Sequence, residues 1–332
     1  MFGKLKALRA AFDKLRLSGP WVKPKPAQAE PVEAHRPTWQ LALLPLTLLT
    51  LGAVEPVDRP AASKDIAAAC GTRDGWSEPA PPAKIHGKTW YVGTCGITVV
   101  LIETSAGLVL IDTGPQDAAP HVLANIKALG FDPRRIKWLL MTHEHFDHVG
   151  GMAAVQRVTG AKLAVSPGAE IAMRTGQADP EDPQAALLAK YPMAPARVDR
   201  VLRSGAALNL GGTRFTMHAN PTHSPGSASW TWQSCDGGKC LTIAYADSIN
   251  SISADDYHFL DHPERVEAAR AGLRVIENLP CDLLITPHPG GSDLLERLSG
   301  KAALTAPRAC IAYSAIGSER LSKRLAKEAA AK

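Results

Sequence analysis

From residue 89 onward, short apolar runs alternate with polar, turn-forming clusters, and the apolar spacing switches between period 2 and a helical period. Thr89–Val92 and Thr98–Glu103 read as two successive strands, and Leu108–Ile111 as a short strand running into Asp112-Thr113-Gly114. Ala118–Leu129 predicts a helix stopped by Gly130, and Ile136–Met141 a buried strand. A helix near Gly151–Thr159, a strand at Lys162–Ser166 and a polar, Pro/Gly-rich loop over Thr175–Ala196 follow. Strands at Ala207–Leu210, Arg214–His218, Ser229–Gln233 and Leu241–Ala246 precede a helix at Glu264–Asn278, a strand at Asp282–Thr286 and a helical end from about Pro307. Strands mixed with helices, with no linker after residue 85, predict an α/β layered domain over residues 55–332.

The chain before that domain has a different pattern. Leu41–Val54 is an apolar run behind Arg36 and ahead of Glu55 and Asp58, the charge order of a secretory signal, and Gly52-Ala53 offers a cleavage point. The run is short of the ~20 apolar residues that a span needs. Residues 39–54 therefore read as signal peptide-like and residues 1–38 as a basic N-terminal extension, with periplasmic or secreted localisation expected. Phe2, Leu5, Leu8, Phe12 and Leu15 recur at helical spacing among basic residues, the pattern of an amphipathic helix at a membrane face. A start placed too far upstream, or a solvated charged tail, fits that segment as well. Any membrane contact is expected only through residues 1–54.

Charge narrows the choice of partners. The formal net charge is +5, and residues 1–36, with eight Lys/Arg against Asp13, Glu30 and Glu33, account for all of it. The near-neutral remainder has no electrostatic footprint for nucleic acid. Six cysteines (Cys70, Cys95, Cys235, Cys240, Cys281, Cys310) form an even set without a C-x-x-C pair, which points to an oxidising compartment. Their number alone leaves the pairing open, although Cys235 and Cys240 flank a turn tight enough to close on itself.

The stretch that carries chemistry is Thr142-His143-Glu144-His145-Phe146-Asp147-His148, placed just past a buried strand. Three imidazoles and a carboxylate within six residues can point into one space, and that donor set suits zinc. His223, in His-Ser-Pro-Gly-Ser, and His288, in Pro-His-Pro-Gly, stand where strands run into turns, the usual place for ligands on a rigid scaffold. The other six histidines lack such a setting.

Together with Leu110-Ile111-Asp112-Thr113-Gly114 and Tyr245-Ala246-Asp247-Ser248, these motifs resemble the metallo-β-lactamase superfamily, and in detail its subclass B3. The resemblance runs from about Cys70 to the C-terminal helix and implies a four-layer αββα sandwich. It implies two zinc ions per chain, one on His143, His145 and His223, the other on Asp147, His148 and His288. It further implies that Asp147 orients the attacking hydroxide, that Ser248 and Asn250 bind substrate, and that Asp112 orients a ligand from behind. Disulfides Cys70–Cys95, Cys235–Cys240 and Cys281–Cys310 belong to the same expectation. Two departures stand out: Thr222 replaces a glycine common before the third histidine, and Asp247, adjacent to the place of a metal-bridging aspartate in glyoxalase-type relatives, has no assigned role.

The implied activity is zinc-dependent hydrolysis of the β-lactam amide of penicillins, cephalosporins and carbapenems by a monomer acting on a small-molecule substrate. Zinc lowers the pKa of water from about 15.7 to about 7, roughly 12 kcal/mol at about 1.36 per unit, well beyond a side-chain base. A serine mechanism is disfavoured, since neither S-x-x-K nor G-x-S-x-G occurs. The rival within the superfamily is a lactonase or glyoxalase-type thioesterase sharing the cluster; the rival outside it is a noncatalytic zinc-binding protein.

Overall fold

Strands that are apolar at every position must bury both faces, and here they form the middle of a layered stack. The computed structural model describes residues 62–331, so the expectations for residues 1–38 and 39–54 lie outside the described residues. One sheet has seven strands in chain order: β1 (Ala83–His86), β2 (Thr89–Tyr91), β3 (Val100–Thr104), β4 (Gly107–Ile111), β5 (Ile136–Leu140), β6 (Lys162–Val165) and β7 (Val198–Val201). The other has five: β8 (Ala207–Leu210), β9 (Thr213–Ala219), β10 (Ala228–Asp236), β11 (Lys239–Tyr245) and β12 (Leu283–Ile285), in the order β12-β11-β10-β9-β8.

Alternation within each run sorts side chains between layers. In β4, Val109 and Ile111 enter the core between the sheets, while Leu108 and Leu110 face the helices Ala119–Ala128 and Met152–Thr159 through Val122, Ile126 and Val155. In β11 and β12, Ile243, Tyr245, Leu283 and Ile285 point inward, whereas Ala244 and Leu284 meet Leu273, Ile276 and Leu321 of the helices Pro263–Glu277 and Ala309–Ala330. Trp230 and Trp232 of β10 and Phe215 of β9 fill the centre. The result is the expected αββα sandwich.

Parallel neighbours need a crossover, and helices supply it between β4 and β5, β5 and β6, and β11 and β12. The parallel strands β4, β5, β11 and β12 therefore end on one rim, where the site lies. At that rim the sheets are bonded to each other: Ala228 N donates to the Thr142 carbonyl at 2.7 Å and Trp230 Nε1 to the Met141 carbonyl at 2.8 Å.

All three disulfides join the expected partners: Cys70–Cys95, Cys235–Cys240 and Cys281–Cys310. Among the described residues no helix is long and apolar enough to cross a membrane. Two strands have no counterpart among the expected elements. β1 is a four-residue strand behind prolines, and β7, Val-Asp-Arg-Val, lies at the edge of its sheet, where charged side chains are tolerated. The expected loop Thr175–Ala196 holds only the short helical turn Ala185–Leu188.

Candidate metal centre

Asp112 closes β4 in the left-handed region, φ 63°, costly for a residue with a Cβ. Its carboxylate holds the bend: Oδ1 accepts from Thr142 N and Oδ2 from Thr142 Oγ1, both at 2.8 Å, and Tyr245 Oη of the other sheet donates to Oδ2 at 3.0 Å. This fixes where β5 ends and the histidine turn begins.

Beyond that end, the turn and the short helix Phe146–Val149 carry His143, His145, Asp147 and His148, all buried. His223 comes from the β9–β10 loop and His288 from the end of β12. Donor atoms of His143, His145 and His223 lie within 4.8 Å of one another. Alongside, Asp147 Oδ2 is 3.0 Å from His148 Nε2 and 3.5 Å from His288 Nε2, and those two nitrogens are 3.4 Å apart. The structure thus gathers the six expected ligands into two adjoining groups.

Four of the histidines have one ring nitrogen occupied from behind. Nδ1 of His143 donates to Asp247 Oδ1 at 2.9 Å, Nε2 of His145 to Asp182 Oδ2 at 2.8 Å, Nδ1 of His223 to the Asn250 carbonyl at 2.7 Å, and Nδ1 of His288 to the Gly96 carbonyl at 3.1 Å. Each therefore turns its other nitrogen toward the centre, where His223 Nε2 has a long 3.4 Å contact from Gln184 Nε2, and outer partners of this kind fix tautomer and orientation. His148 Nδ1 stands 3.7 Å from Asp112 Oδ2 without a formal hydrogen bond. Imidazole and carboxylate with no thiolate, ordered in this way, fit zinc.

Electrostatics divides the candidate ligands. Burial pushes the pKa of His143 well down, helped by neighbouring histidines, and takes His223 down to about 4, so both stay neutral. For His148 burial is outweighed by the carboxylates of Asp147 and Asp112, which push its pKa up to about 10. Burial of Asp147 is outweighed in turn by His148, and its carboxyl is held far below its ordinary range. Burial raises both Asp112 and Asp247.

Several residues of the centre carry no clear signal in the sequence. Glu144, between His143 and His145, is buried and accepts from Ser224 Oγ at 2.7 Å and Gly226 N at 2.8 Å, tying the histidine turn to the His223 loop. A Cβ on Gly226 would collide with Glu144 and with Ala169, which explains a glycine in His-Ser-Pro-Gly-Ser. Asp182 lies in the long loop with nothing around it to mark a role. Asp247, unassigned from sequence, backs His143. Thr222 packs against Gly272 of the helix Pro263–Glu277, where a side chain would strike Thr222 and the Asn220 backbone. The larger residue before His223 is thus accommodated by a smaller one in the helix.

Ser248 is buried beside His288, and Asn250 follows on the same loop. Around the mouth, Phe146 stacks on Tyr191 at 4.5 Å and meets Trp76 edge-on at 5.6 Å; Trp76 is 6.0 Å from His288.

The family model for the metallo-beta-lactamase superfamily matches residues 92–238. The solved metallo-beta-lactamase MIM-1 from Novosphingobium pentaromativorans is 51% identical, covers 81% of this chain and 99% of its own, and superposes with a TM-score of 0.79. The chain belongs to the metallo-beta-lactamase superfamily. BJP-1, a subclass B3 metallo-beta-lactamase of Bradyrhizobium japonicum, is 30% identical over 77% of this chain and 97% of that one, with a TM-score of 0.71. The subclass B3 resemblance carried by the motifs is therefore matched by solved neighbours over 77–81% of this chain. A hydroxyacylglutathione hydrolase of Anaeromyxobacter dehalogenans (strain 2CP-C) is 34% identical over 142 residues, 43% of this chain, which spans less than half (43%) of that relative's length. This metallo-beta-lactamase superfamily member thus shares the hydrolase core with relatives of more than one substrate class.

Proposed function

We propose that the protein is an exported, dizinc β-lactamase that hydrolyses the amide of the β-lactam ring. The observation that supports this best is the pair of adjoining ligand groups in a chain that matches MIM-1 over nearly all of its length. On this reading His143, His145 and His223 hold one zinc and Asp147, His148 and His288 the other. Zinc, when bound, supplies Lewis acidity and lowers the pKa of water from about 15.7 to about 7.

The protein's own groups do the positioning. Asp147 is kept ionised and can accept a hydrogen bond from the attacking water, turning its lone pair toward the lactam carbonyl. Asp182 and Asp247 hold His145 and His143 by hydrogen bonds, and Asp112 holds Thr142 at the start of the histidine turn, so that donor atoms need not reorganise. The hydroxyl of Ser248 and the amide of Asn250 offer hydrogen bonds to an acceptor on the substrate. Trp76, Phe146 and Tyr191 form an apolar wall that excludes water from the reacting bond.

Three disulfides and the Leu41–Val54 run support export to an oxidising compartment. A glyoxalase-type thioesterase is the second reading, favoured by the hydroxyacylglutathione hydrolase match. Against it, Asp247 hydrogen-bonds to the back of His143.

The test is hydrolysis of a carbapenem and a cephalosporin by protein beginning near Ala61, before and after a chelator and after zinc is restored, beside a hydroxyacylglutathione thioester. β-Lactam turnover lost to the chelator and regained with zinc is expected. Zinc-loaded protein that cleaves the thioester and no β-lactam overturns the proposal.

A further inference from the structure

The helix Pro263–Glu277 grips the loop that carries His223 along a single face. Arg265, Ala269 and Gly272 follow one another at i, i+4 and i+7, a spacing that lines residues up on one side of a helix. Gly272 leaves room for Thr222 and the Asn220 backbone, and the Ala269 carbonyl accepts from Thr222 Oγ1 at 3.4 Å. Arg265 adds two charge-assisted bonds: its guanidinium donates to the Pro221 carbonyl and, at 2.9 Å, to the Thr222 carbonyl. Among the described residues neither carbonyl accepts from a backbone N–H.

A charged side chain in this position is costly. Arg265 is only 8% exposed, burial opposes its charge, and among the described residues it has no carboxylate in an ion pair and no hydrogen-bond partner for Nε. What offsets that cost is the fork held against two successive carbonyls. Each carbonyl belongs to a rigid peptide plane, so bonding the Thr222 oxygen fixes the Cα of His223, and bonding the Pro221 oxygen fixes the Cα of Thr222. The same loop is tied to His143: Ser229 Oγ donates to Asn220 Oδ1 at 2.8 Å and accepts from Asp247 N at 2.9 Å, and Asp247 accepts from His143. The hydrogen bonds of Arg265 do not run to Asp147, His148 or His288.

We propose that Arg265 is a positioning residue for the three-histidine group, presetting the backbone beneath His223 and so the direction in which its imidazole meets a metal. It touches neither metal nor substrate. The inference rests on the dizinc reading and adds to it a residue outside the ligand motifs that acts on one of the two groups.

The experiment compares wild type with Arg265→Met, which has no donors, and Arg265→Lys, which keeps the charge without the fork. Competition against a chromophoric chelator measures the affinity for each zinc equivalent, and NMR of isotope-labelled histidine follows imidazole N–H exchange in the metal-free protein. In Arg265→Met one zinc equivalent is expected to bind about 10- to 100-fold more weakly, as when an outer partner of a ligand is removed, with the other nearly unchanged. The Nδ1–H of His223, bonded to the Asn250 carbonyl, is expected to exchange faster, while that of His288, bonded to the Gly96 carbonyl, keeps its wild-type rate. Arg265→Lys is expected to fall between. Wild-type affinity and exchange in Arg265→Met, or equal losses at both zinc equivalents and both imidazoles, overturn the assignment. If Arg265→Met does not fold, a folded Arg265→Lys with wild-type values overturns it as well. A wild type that binds fewer than two zinc ions removes the dizinc reading, and imidazole exchange in the metal-free protein still decides the role of Arg265.

Discussion

Asp182 Oδ2 accepts a 2.8 Å hydrogen bond from Nε2 of His145, joining the long loop before β7 to the histidine turn after β5. The carboxylate is almost wholly buried, and it fixes the imidazole with Nδ1 as the free donor. Asp182→Ala is expected to weaken zinc binding about 10- to 100-fold. Competition against a chromophoric chelator measures this; an affinity equal to wild type removes Asp182 from the centre.

Acidity of the metal-free centre sets a pH dependence. His148, raised to about 10 from an ordinary 6.5, stabilises the metal-free fold fully below about pH 6.5 and loses that contribution as pH rises through 10. Asp147, held below its ordinary 3.8, contributes above that value and loses the contribution on acidification. Zinc must displace the His148 proton, so its apparent affinity is expected to rise at least about tenfold per pH unit between about pH 7 and 9. Calorimetric titrations in buffers of different ionisation enthalpy count that proton; zero protons released at pH 7 contradicts the assignment.

Thr222 and Gly272 form a matched pair. Gly272→Ala drives a methyl into Thr222 and the Asn220 backbone and is expected to cost about 1–3 kcal/mol in urea unfolding. Adding Thr222→Gly is expected to recover only part, because the Asn220 backbone still stands in the way. Strictly additive losses in the double variant would show that the two positions do not share space.

The Cys281–Cys310 link joins the start of β12 to the C-terminal helix across 29 residues. Replacing both with serine is expected to destabilise the fold by about 3–4 kcal/mol on the loop-entropy model while leaving zinc stoichiometry unchanged. Parallel denaturation and metal analysis decide it: a loss of bound zinc in the folded variant would mean that this link shapes the centre.

Much of the molecule was legible from sequence where one physical cause dominates. The all-apolar run at β4, the mostly apolar run at β5 and the helical periods of Ala119–Ala128 and Pro263–Glu277 emerged within a few residues, because burial on both faces or on one stripe dictates those patterns. The candidate ligands stood out because imidazoles crowd into one turn, and the fold brings those side chains together. β7 was not, since an edge strand with Asp199 and Arg200 has the composition of a loop. Nor were Asp182 and Glu144, whose roles come from contacts made across 37 to 82 residues.

The six proposed ligands come from both sheets, four from the turn after β5 and one each from the β9–β10 loop and the end of β12. A metal held there would rivet the two halves of the sandwich, so occupancy would enter the folding equilibrium as well as the chemistry. At free zinc about 1,000-fold above Kd, mass action adds about 4 kcal/mol per site, comparable with the total stability of many domains. Zinc scarcity would then act twice, first by emptying the centre and second by enlarging the unfolded fraction that proteases remove.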